Sequence, residues 1–390
     1  MKKSILFVNG HLNVGGVEKA LVDLLSSIDY DRYDVDLLLL EGDGDYRDQI
    51  PLSVRVLHRD LRSIEGPFWR STLENMRRFR FGNICYRLIQ VIAKKYGKSW
   101  LSLLKHLLPI RKYYDIAIAF RTGYYADIVT YAVSAGKKYC WWHDGEAPDS
   151  QQKHDDLANQ LLPFDRIVAV SEGCKSFLCE LFDIPVYKYV VVPNIINQDK
   201  LRLMAERGNP YGNDKRYKIV TLCRFEPEKH LIDAVEVAAK LEGLLDYVWY
   251  MIGDGSEFER VAKKVKEYNL QSRIILTGRI TNPYPFLSNA DLMVHPSHAE
   301  SLCLSVIEAM ALGLPCVVVR SIGPESFIDD GINGILIEKG QEALFDGIMK
   351  TVSLGDSALD QIRQKAILTV LNDFSPNYVI KQFEKLIDGN

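Results

Sequence analysis

The sequence has only seven cysteines in 390 residues, and no two of them form a CxxC pair. Cys85, Cys140, Cys174, Cys179, Cys223, Cys303 and Cys316 also make no Cys/His zinc pattern and no even framework. That spacing points to reduced thiols in a cytoplasmic protein rather than to disulfides. A run of about 18 apolar residues is missing too, so no segment is expected to span a membrane. The basic start Met1-Lys2-Lys3 leads into an apolar run that ends at Asn9-Gly10. It is too short for a signal peptide and reads better as a first strand. No internal repeat at solenoid spacing and no low-complexity tract are visible. Two nucleotide fingerprints are absent as well. Gly253-Asp254-Gly255 runs on into Ser256-Glu257-Phe258, so there is no GxGxxG of the dehydrogenase kind. Gly10 and Gly15 are spaced as in a P-loop, but Gly16 and Val17 stand where Lys and Ser or Thr are needed. An NTPase of that type is excluded.

What is present is ordinary in bulk. Apolar residues make up 47%, charged residues 25%, and the formal net charge is −3. A chain of this length exceeds one hydrophobic core, so two domains are expected. The charge is uneven. Residues 55–112 hold 14 Arg or Lys and three acids, Asp60, Glu65 and Glu74, a net of +11; the rest carries −14. The core of this segment runs from Phe68-Trp69-Arg70 to Leu107-Leu108-Pro109. Arg77, Arg78, Arg80, Lys94, Lys95, Lys98 and Lys105 alternate there with apolar residues at helical spacing. Such a helix can lie on an anionic membrane surface. It can equally be a helical subdomain packed on the first sheet with a solvated basic face. Nucleic acid is not expected, since no binding module accompanies the charge.

Strand-like runs alternate with helix-period segments, which predicts parallel α/β units. The first half gives strands at Ser4–Asn9, Val35–Leu40, Ile116–Phe120, Tyr139–His143, Arg166–Ser171 and Tyr189–Pro193, with a crossover helix at Val17–Ser27. The second gives strands at Tyr217–Cys223, Tyr247–Ile252, Ile274–Thr277, Leu292–His295, Cys316–Val319 and Gly334–Ile337. Its helices are expected at Leu231–Leu241, Glu257–Tyr268, Tyr284–Ala290, Ser305–Ala311 and Ala343–Leu354. The fold class is therefore α/β, with two doubly wound parallel sheets in tandem. A boundary near 194–215 follows from Pro193-Asn194 and the turn-rich Gly208–Asn213.

Three stretches point to an anionic ligand. Gly15 and Gly16 follow the first strand and open the first helix, where backbone amides can approach an anion; a tight turn is the plainer reading. Arg224 and Lys229 flank a short loop at a strand end, well placed for a diphosphate, or for a surface ion pair with Glu226 or Glu228. Glu300 precedes a helix that starts near Cys303–Ser305, and Glu308 lies inside it. The helix's first amides suit a phosphate or polar sugar. Glu300 can accept sugar hydroxyls and Glu308 can hold two hydroxyls of a ribose. Alone, the two acids could be partners of the helix dipole.

The pattern Pro296-Ser297-x-x-Glu300 with Glu308-Ala309-Met310-Ala311-x-Gly313-x-Pro315 resembles the EX7E motif of retaining glycosyltransferases of family 4, which have the GT-B fold. The order of supporting stretches agrees with it: Gly15-Gly16-Val17-Glu18-Lys19, Ala169-Val170-Ser171, Val192-Pro193-Asn194, Arg224-Phe225-x-Pro227-x-Lys229, Ile252-Gly253-Asp254-Gly255, Thr277-Gly278, Asn289-Ala290-Asp291 and Gly331-x-Asn333-Gly334. The resemblance implies two facing Rossmann-like domains with the active site in the cleft. It divides the chain into an acceptor-side domain (1–200), a nucleotide-sugar domain (201–373) and a last helix (374–390) crossing back to the first. Arg224 and Lys229 would hold the diphosphate, Glu300 the donor sugar and Glu308 the ribose. Gly278 and Arg279 would lie near the base. Gly15 and Gly16 would bring backbone to the donor from the other domain, and Ser301, Leu302, Cys303 and Leu304 complete the donor-binding set. His143, in Trp141-Trp142-His143-Asp144, looks like the family's cleft histidine near the transferred sugar; a core histidine is the plain alternative. The sequence departs from the pattern where glycines are usual: Ser301 and Cys303 after the first glutamate, and His230 after Lys229.

The implied reaction is transfer of a hexosyl or N-acetylhexosaminyl group, with retention, from a UDP-linked donor. The acceptor would be the hydroxyl of a lipid-linked or cell-surface glycan. No metal or cofactor is called for. The protein would be cytoplasmic, peripheral on the inner face of the cell membrane if the basic segment binds lipid. A nucleotide-sugar epimerase of the same architecture would convert donor alone. A non-catalytic sugar-nucleotide-binding protein would leave it intact.

Overall fold

The computed structural model describes residues 2–59, 68–78, 80–110 and 112–389. Of the basic segment, residues 60–67, 79 and 111 lie outside the described residues, Asp60 and Glu65 among them.

The expected pair of doubly wound parallel sheets is present. The first sheet has strands β1 (Lys3–Asn9), β2 (Tyr33–Leu39), β3 (Arg55–His58), β4 (Tyr114–Ala119), β5 (Ala135–Trp142), β6 (Arg166–Ala169) and β7 (Tyr189–Val191). The second has β8 (Tyr217–Leu222), β9 (Tyr247–Ile252), β10 (Ile274–Gly278), β11 (Leu292–His295), β12 (Cys316–Val319) and β13 (Ile335–Ile337). Helices α1 (Gly16–Leu25), α2 (Phe68–Arg77), α3 (Phe81–Tyr96), α4 (Tyr124–Ala132), α5 (Gln151–Leu161) and α6 (Glu172–Leu181) belong with the first sheet. Then come α7 (Gln198–Ala205), α8 (Leu231–Leu241), α9 (Phe258–Glu267), α10 (Tyr284–Ser288), α11 (Leu304–Ala311), α12 (Gln341–Val352), α13 (Asp356–Asp373) and α14 (Pro376–Asp388).

Every strand pair is parallel. The composition of the central strands explains this. Ile5, Leu6, Phe7 and Val8 of β1 are all fully buried, as are Leu292, Met293 and Val294 of β11. Continuous apolar strands need cover on both faces, which crossover helices supply. The strand orders are 3-2-1-4-5-6-7 and 10-9-8-11-12-13. Chain direction therefore reverses its winding between β1 and β4, and again between β8 and β11. Such switch points open a crevice at the carboxyl ends of the strands, where ligands bind in open α/β sheets.

One strand, β3, was not foreseen. It is a four-residue edge strand with Arg55 and His58 exposed, so its alternation is too short to read, and its arginine had been counted in the basic segment. Helix α13, of 18 residues, is likewise not among the helices the sequence pattern predicts. Only Ile362, Ala366 and Val370 of it are buried, a thin stripe. Helix α14 packs back on the first sheet. Phe383 stacks on Phe7 with ring centroids 6.2 Å apart, Lys3 pairs with Asp388 at 2.8 Å, and Arg32 pairs with Glu384 at 2.7 Å.

In the basic segment, Tyr86, Ala93, Leu101, Leu104 and Leu108 are buried in an apolar cluster shared with β1, β4 and α4. Lys98 pairs with Asp127 of α4 at 3.1 Å. The segment is thus a helical layer docked on the first domain. Its outer side still exposes Leu73, Met76, Phe81, Leu88, Tyr96 and Trp100. Among the described residues, no helix is long and apolar enough to cross a membrane.

Candidate active site

The switch-point rule can be checked residue by residue. The loop after β1 carries Gly10 to Gly15, the loop after β4 carries Arg121, and β5 ends just before His143. In the second sheet, β8 leads into Arg224–Lys229 and β11 into Glu300. All five loops open into the same interdomain cleft.

Glu300 is the centre of the second domain's contribution. Lys229 Nζ donates to its Oε1 at 2.9 Å, and His295 Nε2 lies 2.7 Å from the same oxygen. Lys229 is buried, only 9% of its side chain exposed. Burial opposes charge on Glu300, but the hydrogen bond and charge of His295 and the Lys229 ammonium outweigh it, and the carboxyl is held down to about 2. Burial likewise opposes charge on Lys229, and Glu300 more than offsets it, so its pKa is raised. The trio is ionised at neutral pH, which keeps a buried cation fixed beside the cleft. Arg224 behaves differently. Its side chain is 71% exposed, 3.6 Å from Glu228 Oε1, and free to swing toward a ligand.

The Gly253-Asp254-Gly255 stretch supports this loop rather than the ligand. Gly253 has φ 145 and a Cβ there would collide with the Cys223 carbonyl oxygen. Phe225 N–H donates to the Asp254 carbonyl at 2.9 Å, and Glu257 N–H returns the bond to Phe225 at 2.8 Å. The motif props the Arg224–Lys229 loop against the sheet.

Glu308 sits on α11 and is buried. Its Oε1 accepts from Tyr284 at 3.2 Å and pairs at 3.0 Å with Lys19, which reaches across from α1. Burial disfavours charge on Lys19, and Glu308 and Asp23 outweigh that, raising its pKa well above the ordinary value. The helix start before Glu308 is unusual. Cys303, its N-cap, adopts φ 71, a left-handed conformation that costs energy for any residue with a Cβ. Leu302 is buried in the core, so only its backbone faces the cleft.

The two domains touch at this loop. Ser301 Oγ donates to the His143 carbonyl at 2.7 Å, and Ser171 Oγ donates to the Ser301 carbonyl at 2.7 Å. Gly145 has no room for a side chain: a Cβ would lie 2.6 Å from the Glu300 carbonyl carbon and 2.7 Å from the Ser301 nitrogen. Gly16, the first residue of α1, faces Leu304 Cδ1, the first residue of α11, at 3.5 Å from where its Cβ would be. The amino ends of α1 and α11 thus oppose each other across the cleft. Each presents first-turn amides that have no carbonyl partner within their own helix, and the positive end of a helix dipole.

His143 carries an unpartnered buried atom, Nε2. The backbone of Phe120 holds the ring, and Phe120's own ring lies 5.1 Å from it. Burial first, then the charge of Arg121, pushes its pKa down to about 3, so the imidazole is neutral. With one nitrogen donating to Phe120, Nε2 is an acceptor with nothing to accept. This has a consequence for stability. The unfolded chain binds a proton here below about pH 6.5 and the folded chain does not, so stability is complete above that pH and is lost as pH falls from 6.5 toward 3. His143→Asn should flatten the loss of thermal stability between pH 6.5 and 5, by at most about 1.4 kcal/mol per pH unit. Unfolding curves at several pH values measure this. Parallel slopes for the two proteins would contradict it.

Several cleft residues were not singled out from sequence. Arg121 donates to Glu18 Oε1 at 2.5 Å, and its Nε is buried without a partner. Asp144 faces both Arg121 and Arg224; enclosure in the cleft raises its pKa against their pull. His295 and Lys19 complete the set. Arg121, Asp144 and His295 lie at or just beyond strand ends, a position that could have marked them. Gly278 is left-handed, φ 68, and opens on empty space. Arg279 pairs with Asp45 of the first domain at 2.9 Å, and Asp45 also accepts from Val14 N–H at 3.0 Å. Sequence spacing could not show that contact, because its partners are 234 residues apart.

Residues 205–367 match the family model for glycosyl transferases group 1. N-acetyl-alpha-D-glucosaminyl L-malate synthase of Bacillus anthracis is 28% identical over 246 residues, 60% of this chain and 61% of that protein. An Escherichia coli UDP-Gal:alpha-D-GlcNAc-diphosphoundecaprenol alpha-1,3-galactosyltransferase is 25% identical over 232 residues, 57% of this chain and 59% of that one. The chain thus spans about three fifths of the length of these two curated relatives. Among solved structures, Anabaena HepE in complex with UDP and glucose superposes over 100% of both chains with a TM-score of 0.76 at 17% identity. The chain has the GT-B glycosyltransferase fold, and its residues 205–367 match the glycosyl transferases group 1 family.

Proposed function

We propose that this chain is a retaining glycosyltransferase. It moves a hexosyl or N-acetylhexosaminyl group from a UDP-linked donor to a hydroxyl of a lipid-linked or cell-surface glycan precursor. The observation that carries the reading is the buried Lys229–Glu300 pair, 2.9 Å apart, beside two opposed helix amino ends. A diphosphate is the ligand that such an arrangement complements.

In this reading the diphosphate lies between α1 and α11, with Lys229 and a reoriented Arg224 on its oxygens. Glu308 takes the ribose hydroxyls and shares its charge with Lys19. Glu300 accepts donor-sugar hydroxyls, and His143 Nε2 accepts another. As the bond from the anomeric carbon to the phosphate oxygen breaks, negative charge grows on the leaving UDP. Lys229, Arg224 and the helix amides stabilise it, so the reaction needs no metal. The acceptor oxygen attacks from the same face, and its proton passes to the leaving phosphate. No carboxylate is assigned as a nucleophile: Glu300 is held by Lys229 and His295 at one oxygen. Closure of the Ser301–His143 contact excludes water.

The acceptor reading rests on the outer side of the basic segment. There exposed Phe81, Tyr96 and Trp100 sit among Arg77, Lys94, Lys95 and Lys105, a composition that suits an anionic lipid surface. The E. coli relative's name gives a diphosphoundecaprenol-linked acceptor, in keeping with this. The enzyme would then work at the inner face of the cell membrane.

The test is to incubate the protein with a panel of UDP-sugars and a polyprenyl-diphosphate-linked glycan in anionic vesicles, then in neutral vesicles. The expected result is glycosylated lipid with the donor's anomeric configuration, formed faster on anionic vesicles. Conversion of donor alone would favour an epimerase. Intact donor with every acceptor would favour a binding protein. Inverted product would overturn the retaining mechanism, and equal rates on both vesicles would remove the membrane surface from the account.

A further inference from the structure

Beside the cleft, outside the donor residues, His230, Asp233 and His298 form a cluster the transfer reaction does not use. His230 is the N-cap of α8 and Asp233 lies one turn on; His298 comes from the loop after β11. One ligand-type atom from each lies within 4.8 Å of the others. His230 Nδ1 is 2.9 Å from Asp233 Oδ2, and Gln341 Nε2 donates to Asp233 Oδ1 at 3.1 Å. The two imidazoles stack, with centroids 3.3 Å apart and planes 17° apart. His230 holds its place in a left-handed conformation, φ 49.

Two features give this cluster metal-ligand chemistry. The donor set is two imidazoles and one carboxylate, with one ligand-type atom of each close enough to share an ion. The cluster is also partly exposed, about 37% for the His230 side chain and 27% for Asp233, so an ion can enter. The other candidate among the described residues, His295 with Glu300 and Cys303, is less suited. Lys229 already places an ammonium 2.9 Å from its carboxylate, and a second cation there would be repelled.

We propose that His230, Asp233 and His298 form a binding site for a borderline divalent cation of the zinc, cobalt or nickel kind. Two imidazoles and one carboxylate favour these ions over magnesium or calcium, which prefer all-oxygen shells. Gln341 would orient the carboxylate from outside the shell. Binding requires the rings to open from their stack, because each lone pair must point at the ion. The site ties two loops together. His230 follows Lys229 directly, and His298 lies two residues before Glu300, so a bound ion braces the Lys229–Glu300 pair without touching the donor. His298 N–H already donates to the Glu228 carbonyl at 3.0 Å, which holds the loops in register. The inference does not depend on the transferase reading.

The experiment is a titration of the purified full chain with cobalt(II), followed by visible absorption and by thermal unfolding. The expected result is saturable one-to-one binding with ligand-field bands, and a rise in melting temperature that depends on cobalt concentration. His298→Ala and Asp233→Asn should each weaken binding by about tenfold or more. His230→Gly should do so while keeping the metal-free melting temperature, since glycine adopts the left-handed conformation freely. A sulfur-to-cobalt charge-transfer band would place the ion on a thiol, at Cys303 or elsewhere, and overturn the assignment. So would unchanged affinity in His298→Ala, or no saturable binding at all.

Discussion

Lys229→Ala should lower turnover by about 10²–10³-fold, the range typical of removing one preorganised donor to developing negative charge. The argument starts from burial. Lys229 has 9% of its side chain exposed and is fixed by Glu300 at 2.9 Å, so its charge needs no reorganisation when the leaving phosphate forms. A mobile surface lysine would be screened and would cost entropy to position. The same substitution also removes the partner of a buried carboxylate. Breaking such a pair commonly costs about 3–5 kcal/mol of stability. Here His295 remains 2.7 Å from Glu300, so the loss should fall below that range. Turnover and urea unfolding, measured on the same preparations, separate the two effects. A variant that stays folded yet keeps turnover within about threefold of the parent would contradict the assignment.

Gly145→Ala should lower turnover by about 100-fold with little effect on the unfolding of either domain. The methyl group would sit 2.6–2.8 Å from backbone atoms of Glu300 and Ser301. Backbone cannot step aside as a side-chain tip can, so the domains must part by a fraction of an ångström or more. That would break the Ser301–His143 and Ser171–Ser301 hydrogen bonds. A misplacement of about 1 Å can cost about 100-fold when reacting groups come from both sides of a cleft. Each domain's own core is untouched, so thermal stability should change by less than about 1 kcal/mol. Steady-state kinetics beside calorimetry provides the check. Full activity would show that this contact is not part of the working conformation.

How much of this was legible in the sequence depended on how local the signal was. Strands β9, β11 and β12 were read to the residue, because buried parallel strands are uninterrupted apolar runs bounded by turns. The basic segment was harder. Its helical period was visible, but Tyr86 and Leu104, buried against α4, look the same in sequence as Phe81 and Trp100, which are exposed. Periodicity shows that a helix has an apolar face, not what covers it. In the site, Glu300, Glu308 and Lys229 could be nominated because spacing or position at a strand end marked them, and His143 through the family resemblance. The pairing of Lys19 with Glu308, and of Arg279 with Asp45, could not. Those contacts cross between domains hundreds of residues apart, and nothing local encodes them.

The claim on which the account rests is that Lys229 and the opposed starts of α1 and α11 hold a nucleoside diphosphate. Its most direct test is a crystal structure of the protein soaked with UDP. The account predicts the terminal phosphate within hydrogen-bond distance of Lys229 Nζ, with Arg224 swung onto its oxygens and the ribose on Glu308. Phosphates bound away from Lys229, with Arg224 still in solvent beside Glu228, would contradict it.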